Sequence, residues 1–146
     1  MGITAFSGPV ATFTHQPDGT AAGYSDQGFA ESTQTVVLTQ NSTNNVLASL
    51  WLPQGAQILD FLIDDLTQWD SATSATLSIG SAAAGTQYVS AINTKTAGRQ
   101  APTYTSAQLT AMANILTNVQ LFIQVTVVGA TTAGITRVTV RYIQNP

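Results

Sequence analysis

From Thr33 onward the chain is a succession of short runs rich in β-branched and aromatic residues, each closed by a turn signal, and few folds accept that pattern. The runs are TQTVVLT (33–39), NNVLASLWL (44–52), AQILDFLID (56–64), ATLSIG (75–80), TQYVSAI (86–92), VQLFIQVTVV (119–128) and ITRVTVRYI (135–143). QNST and PQG separate the first three, and GSAAAG at 80–85 reads as another turn, since it lacks the Lys and following helix of a phosphate loop. Seven strands in about 110 residues predict an all-β chain, an antiparallel β-sandwich or jelly roll.

Period-two alternation assigns faces. In the last run Val138, Val140 and Tyr142 share one side and Arg137, Thr139 and Arg141 the other. In 119–128 the row Val119, Leu121, Ile123, Val125 and Val127 opposes Gln120, Gln124 and Thr126, with Phe122 interrupting. Leu59, Phe61 and Ile63 form the matching core row of the third strand. One segment departs from this period: in YTSAQLTAMANIL (104–116) Ser106 can cap a helix in which Leu109, Met112 and Ala113 recur at helical spacing. One short helix is expected there, bridging the sheets or closing one end, with Met112 in the core.

At 146 residues the chain suits one domain, residues 33–146, preceded by an extended N-terminal arm, residues 1–32. The arm is rich in Gly, Thr, Ser and Ala, carries Pro9, Pro17 and the turn QPDGT, and shows no sustained period. Phe6, Phe13, Tyr24 and Phe29 are spread through it. An arm with little local means of burying four large aromatics lays them on another surface or on its own domain.

Charged residues make up only 8% of the chain and the net charge is −3. Four cations, Lys95, Arg99, Arg137 and Arg141, are too few for the phosphate contacts of nucleic-acid binding. No cysteine is present, so disulfide frameworks and thiolate metal sites are excluded. The N-terminus lacks the basic start and apolar run of a secretion signal, and no segment has membrane-spanning length, so a soluble chain made in the cytoplasm is expected. In that setting the sequon Asn41-Ser42-Thr43 reads as a polar turn.

Asp60, Asp64, Asp65 and Asp70 crowd one short stretch, as calcium ligands do. Their spacing is not that of a calcium loop, and on a strand Asp60 and Asp64 share one face while Asp65 takes the other. They are read as the polar trim of a strand and its loop, with no metal and no cofactor. His15, the single histidine, stands in the arm, and nothing beside Lys95 supports a Ser-Lys pair. No enzyme is expected. Of the two tryptophans, Trp51 in SLWLP reads as core and Trp69, between Gln68 and Asp70, as the surface candidate.

Three pieces, in order, carry a resemblance: PQGAQI (53–58) turning into a strand, TLSIG (76–80) ending one, and TAGITRVTVRY (132–142) at the last. Over about residues 47–143 the chain resembles the decoration, or cement, proteins of tailed-bacteriophage heads. The resemblance implies a jelly-roll domain on the outer capsid surface of the virion, made in the host cytoplasm. It implies binding to the major capsid protein, as a homotrimer or, second, a homodimer, with no catalytic residues. The aromatic arm residues Phe6, Phe13, Tyr24 and Phe29 are then the candidate capsid contacts. The alternative is a head-fibre or tail-associated module that recognises host-surface carbohydrate, with Trp69 as the stacking platform.

Overall fold

The computed structural model describes residues 31–144. Eight strands form: β1 (Glu31–Thr39), β2 (Asn45–Leu52), β3 (Ala56–Thr67), β4 (Ser74–Gly80), β5 (Val89–Asn93), β6 (Gly98–Gln100), β7 (Val119–Val128) and β8 (Ile135–Gln144). One helix, α1 (Ser106–Ala113), lies between β6 and β7. The strands assemble into two four-stranded sheets, ordered β1-β8-β3-β6 and β2-β7-β4-β5, with every pairing antiparallel. Apart from β4 and β5, which are neighbours in one sheet, successive strands alternate between the sheets in the manner of an eight-stranded jelly roll. Met1–Ala30, with nearly all of the expected arm and Phe6, Phe13, Tyr24 and Phe29, lies outside the described residues.

Two of the switches between sheets are made by short polar turns. Between β2 and β3, Ala56 N–H donates to the Pro53 carbonyl at 3.2 Å, and Gly55 takes φ +80°, which a type II turn requires at its third position and only glycine adopts freely. The Asn41 side chain accepts from Thr43 N–H and Oγ1, so the sequon residues do form a polar turn.

The core is the seam between the two inner faces. Leu121, Ile123, Val125 and Val127 of β7 meet Val138, Val140 and Tyr142 of β8 there, all buried, as their alternation requires. In β3 the expected row is corrected. The register against β8 slips between Ile58 and Asp60, so Ile58 enters the core with Phe61 and Ile63, and Leu59 is displaced outward to 38% exposure. A β-bulge of this kind puts two residues opposite one and reverses the faces before it. The strand missed from sequence, β6, has three residues and no period to read; it is held by pairing with Ile63–Asp65.

The helix begins one residue earlier than expected. Thr105, not Ser106, is its N-cap, closing a capping box in which Gln108 bonds back to the Thr105 N–H. Gln108 also donates to the Thr86 carbonyl and Ser90 Oγ, while Met112 is buried and Leu109 faces outward. With its contacts on β3, the helix ties one sheet to the segment entering the other.

Trp69 is the largest fully buried side chain. Its Nε1 donates to Thr136 Oγ1 at 2.8 Å, and that hydroxyl donates to Asp65 Oδ1 at 2.5 Å, a buried polar string within the apolar seam. Gly134 lies against the indole, where a Cβ would overlap the ring. Removing the Thr136 hydroxyl strands a buried N–H and a buried carboxylate, each costing about 1–3 kcal/mol. Thr136→Val is therefore expected to lower unfolding free energy by about 3 kcal/mol in urea titrations, and a loss below about 1 kcal/mol would contradict the role given to this string.

Candidate interaction surfaces

The four acids of the cluster occupy four different environments. Asp64 stands where β3 meets both β6 and β8, in register with Arg99 on one side and Arg137 on the other. Arg99 Nε donates to its Oδ1 at 2.6 Å and Arg137 Nη2 to its Oδ2 at 2.7 Å, with second contacts at 3.1 and 3.2 Å. The Arg99 hydrogen bonds, then those of Arg137, hold the carboxyl at about 2, against an ordinary 3.8.

Asp65, the next residue, points the other way into the seam, where burial raises its pKa against the lowering effect of Thr136. Asp60 accepts from the Tyr104 hydroxyl at 2.7 Å. Asp70 organises the turn before β8. It accepts from the Thr131 and Thr132 hydroxyls and from the Thr132 and Ala133 N–H groups; the Thr132 hydroxyl, first, and the Ala133 amide hold it far below the usual carboxylate range. Among the described residues no group of three or more His, Cys, Asp or Glu gathers to hold a metal. Polar trim describes Asp60 alone: Asp64 clamps three strands, Asp65 is interior, and Asp70 caps a turn.

The outer faces of the two sheets differ in kind. That of β1-β8-β3-β6 carries Glu31, Asp60, Asp64, Arg99, Arg137 and Arg141, three acids and three arginines, with Arg141 also paired to Glu31 at 2.5 Å. The strands β2, β7, β4 and β5 contain no charged residue at all. Their outer face is knitted by amides and hydroxyls: Gln120 Nε2 donates to Ser49 Oγ at 3.0 Å, and Gln124 Nε2 to Asn45 Oδ1 at 3.1 Å. From it project Leu47 at 49% and Trp51 at 60% exposure.

The tryptophan assignments are reversed. Trp69, the expected carbohydrate platform, is 0% exposed and packs inside, because the chain after β3 folds back over the end of the seam and the indole finds its partner in Thr136. Trp51, expected in the core, borders a shallow depression of about 350 Å³ with Leu52, Pro53 and Asn118. The signal was present in the alternation of β2, where Trp51 shares its face with Asn45, Leu47 and Ser49, opposite Val46 and Leu52.

No known family profile and no curated protein matches this chain. Among solved structures, the fold is similar to that of a chain described as "Cyanophage Pam1 capsid asymmetric unit", with a TM-score of 0.59 and 22% identity. The likeness covers 98% of this chain and 100% of that one. At this identity it is a likeness of fold.

Because the folded-state pKa of Asp64 lies below its ordinary value, its ionised form stabilises the fold above about pH 4, and that contribution is lost as pH falls toward 2. Asp65 has the opposite sign: with its pKa raised, its ionisation disfavours the fold, so its contribution improves on acidification. Asp64→Asn is expected to lower stability at neutral pH and to flatten the decline between about pH 4 and 2 in denaturation midpoints. An unchanged acid profile would show the double clamp to be inert.

Proposed function

We propose that this chain is a decoration protein of a tailed-phage head. The observation that carries the reading is the likeness of fold along the whole of both chains to a component of a cyanophage capsid. In this reading its role is structural and non-catalytic. The domain sits on the outer shell surface, binds the major capsid protein and clamps neighbouring capsomers. It works as a homotrimer, with a homodimer second.

The chemistry of the surface supports this. Centres of protein interfaces are depleted of charge because desolvating an unpaired ion is costly, and one whole sheet here is uncharged while the charges on the outer face of the other are matched in number. Several copies joined together engage several shell subunits at once, so modest single contacts sum to tight attachment. The arm supplies the capsid contacts through Phe6, Phe13, Tyr24 and Phe29, whose rings offer large apolar area.

A second reading, a head-fibre or tail-associated module for host-surface carbohydrate, draws on the exposed ring of Trp51 beside Pro53 and Asn118. Sugar rings stack on such platforms through their C–H faces. Trp51→Ala separates the two: loss of glycan retention on arrays with shell binding absent from the native chain favours the module.

Cosedimentation with expanded shells tests the proposal. The full chain is expected to pellet with them, and a chain lacking residues 2–30 to stay in the supernatant while keeping its β-sheet circular dichroism. Undiminished pelleting of the truncated chain would remove the arm from the contact.

A further inference from the structure

Four strand edges terminate the two sheets, and three of them are guarded. β1 begins at Glu31, ion-paired to Arg141; β6 has three residues, with Arg99 at its centre; β5 has five, with a register irregularity against β4 and Ala91 at φ +43°. Charges, shortness and bulges are the usual means by which edges avoid pairing with other chains. β2 has none of them. It is eight residues long, regular in register along β7, and without a charge or a proline.

Its main chain can be oriented. The Asn44 carbonyl accepts from Val127 N–H at 2.7 Å, so even-numbered residues of this strand bond toward β7. Odd-numbered residues turn their N–H and C=O groups to the open side, where the Gln34 side-chain amide caps the Trp51 carbonyl and the Thr43 hydroxyl caps that of Asn45. Between those caps the main-chain groups of Leu47 and Ser49 have no partner among the described residues. The same residues lie beside the exposed side chains of Leu47 and Trp51.

We propose that the β2 edge, together with Leu47 and Trp51, is where one copy of this chain meets a second copy. Copies gathered round a two-fold or three-fold axis bring equivalent surfaces near one another at the axis, and a charged surface there would repel itself. The face built on β2-β7-β4-β5 carries no charge, so self-association there sets no like charges together. The opposite face holds the ion pairs and remains wet. A partner of different chemistry, such as an acidic or basic protein, would find no countercharge on this sheet. The contact buries the two large apolar side chains and satisfies the open Leu47 and Ser49 groups with main chain or amide from the neighbour. This inference rests on the reading that several copies act together, but not on what they attach to.

Sedimentation of the full chain tests it, with Leu47→Lys and Trp51→Lys as interface variants and Leu66→Lys, exposed on β3 of the other sheet, as the control. The native chain is expected to be multimeric. Each interface variant should raise the concentration at which it dissociates roughly a hundredfold, and the control should leave it unchanged. Hydrogen exchange on the native chain gives a readout that does not depend on a variant folding: the Leu47 and Ser49 amides should exchange slowly when concentrated and quickly on dilution. A monomeric native chain, or multimers indifferent to both lysines, would overturn the proposal. So would variants that stay multimeric yet lose shell binding, because the face would then meet another protein. Multimers that form through β2 but bind no shell keep this inference and refute the capsid reading.

Discussion

The seam between the two sheets depends on the register of β3 against β8, because a one-residue slip in a strand exchanges its buried and exposed faces. Ten residue pairs join these strands, interrupted by shifts at Ile58/Asp60 and Asp65/Thr67. The first shift lets Ile58, Phe61 and Ile63 all face inward from a run whose alternation alone would leave Ile58 outside. Asp64, held by an arginine from each neighbouring strand, marks the register on the outer side, and Asp65 with Thr136 and Trp69 marks it on the inner. The exposed guanidinium groups make the outer clamp a matter of geometry more than of free energy, since water screens such pairs.

Much of the fold was legible in the residues. Seven of the eight strands follow from β-branched runs and turn signals, and β7 and β8 bury the rows their alternation assigns, Val119 only in part. Local pattern did not reveal features that depend on tertiary partners. β6 exists because Arg99 and its neighbours pair with β3, and three residues carry no periodicity of their own. The outward placement of Leu59 is a bulge, and nothing in AQILDFLID marks where the extra residue falls. Trp69 reads as exposed between Gln68 and Asp70, yet it is buried because Thr136, 67 residues later, offers its indole N–H an acceptor.

The acidic cluster shows why proximity in sequence is weak evidence for a shared ion. On an extended chain adjacent carboxylates diverge, and here each has found a different donor: tyrosine for Asp60, two arginines for Asp64, threonine for Asp65 and a turn of amides and hydroxyls for Asp70. The separation of charge between sheets is more informative about use. One outer face is electrically balanced, while the other is amide-rich, uncharged and bordered by an unguarded strand, which suits the proposed role of a part repeated across a shell.

The thermal resistance of expanded phage shells with and without the purified full chain bears most directly on this account. Addition of the chain should raise the temperature at which the shells lose integrity, with an effect that saturates once the lattice positions are filled. Shells that bind no chain, or bind it without any gain in heat resistance, would contradict a role in cementing the capsid.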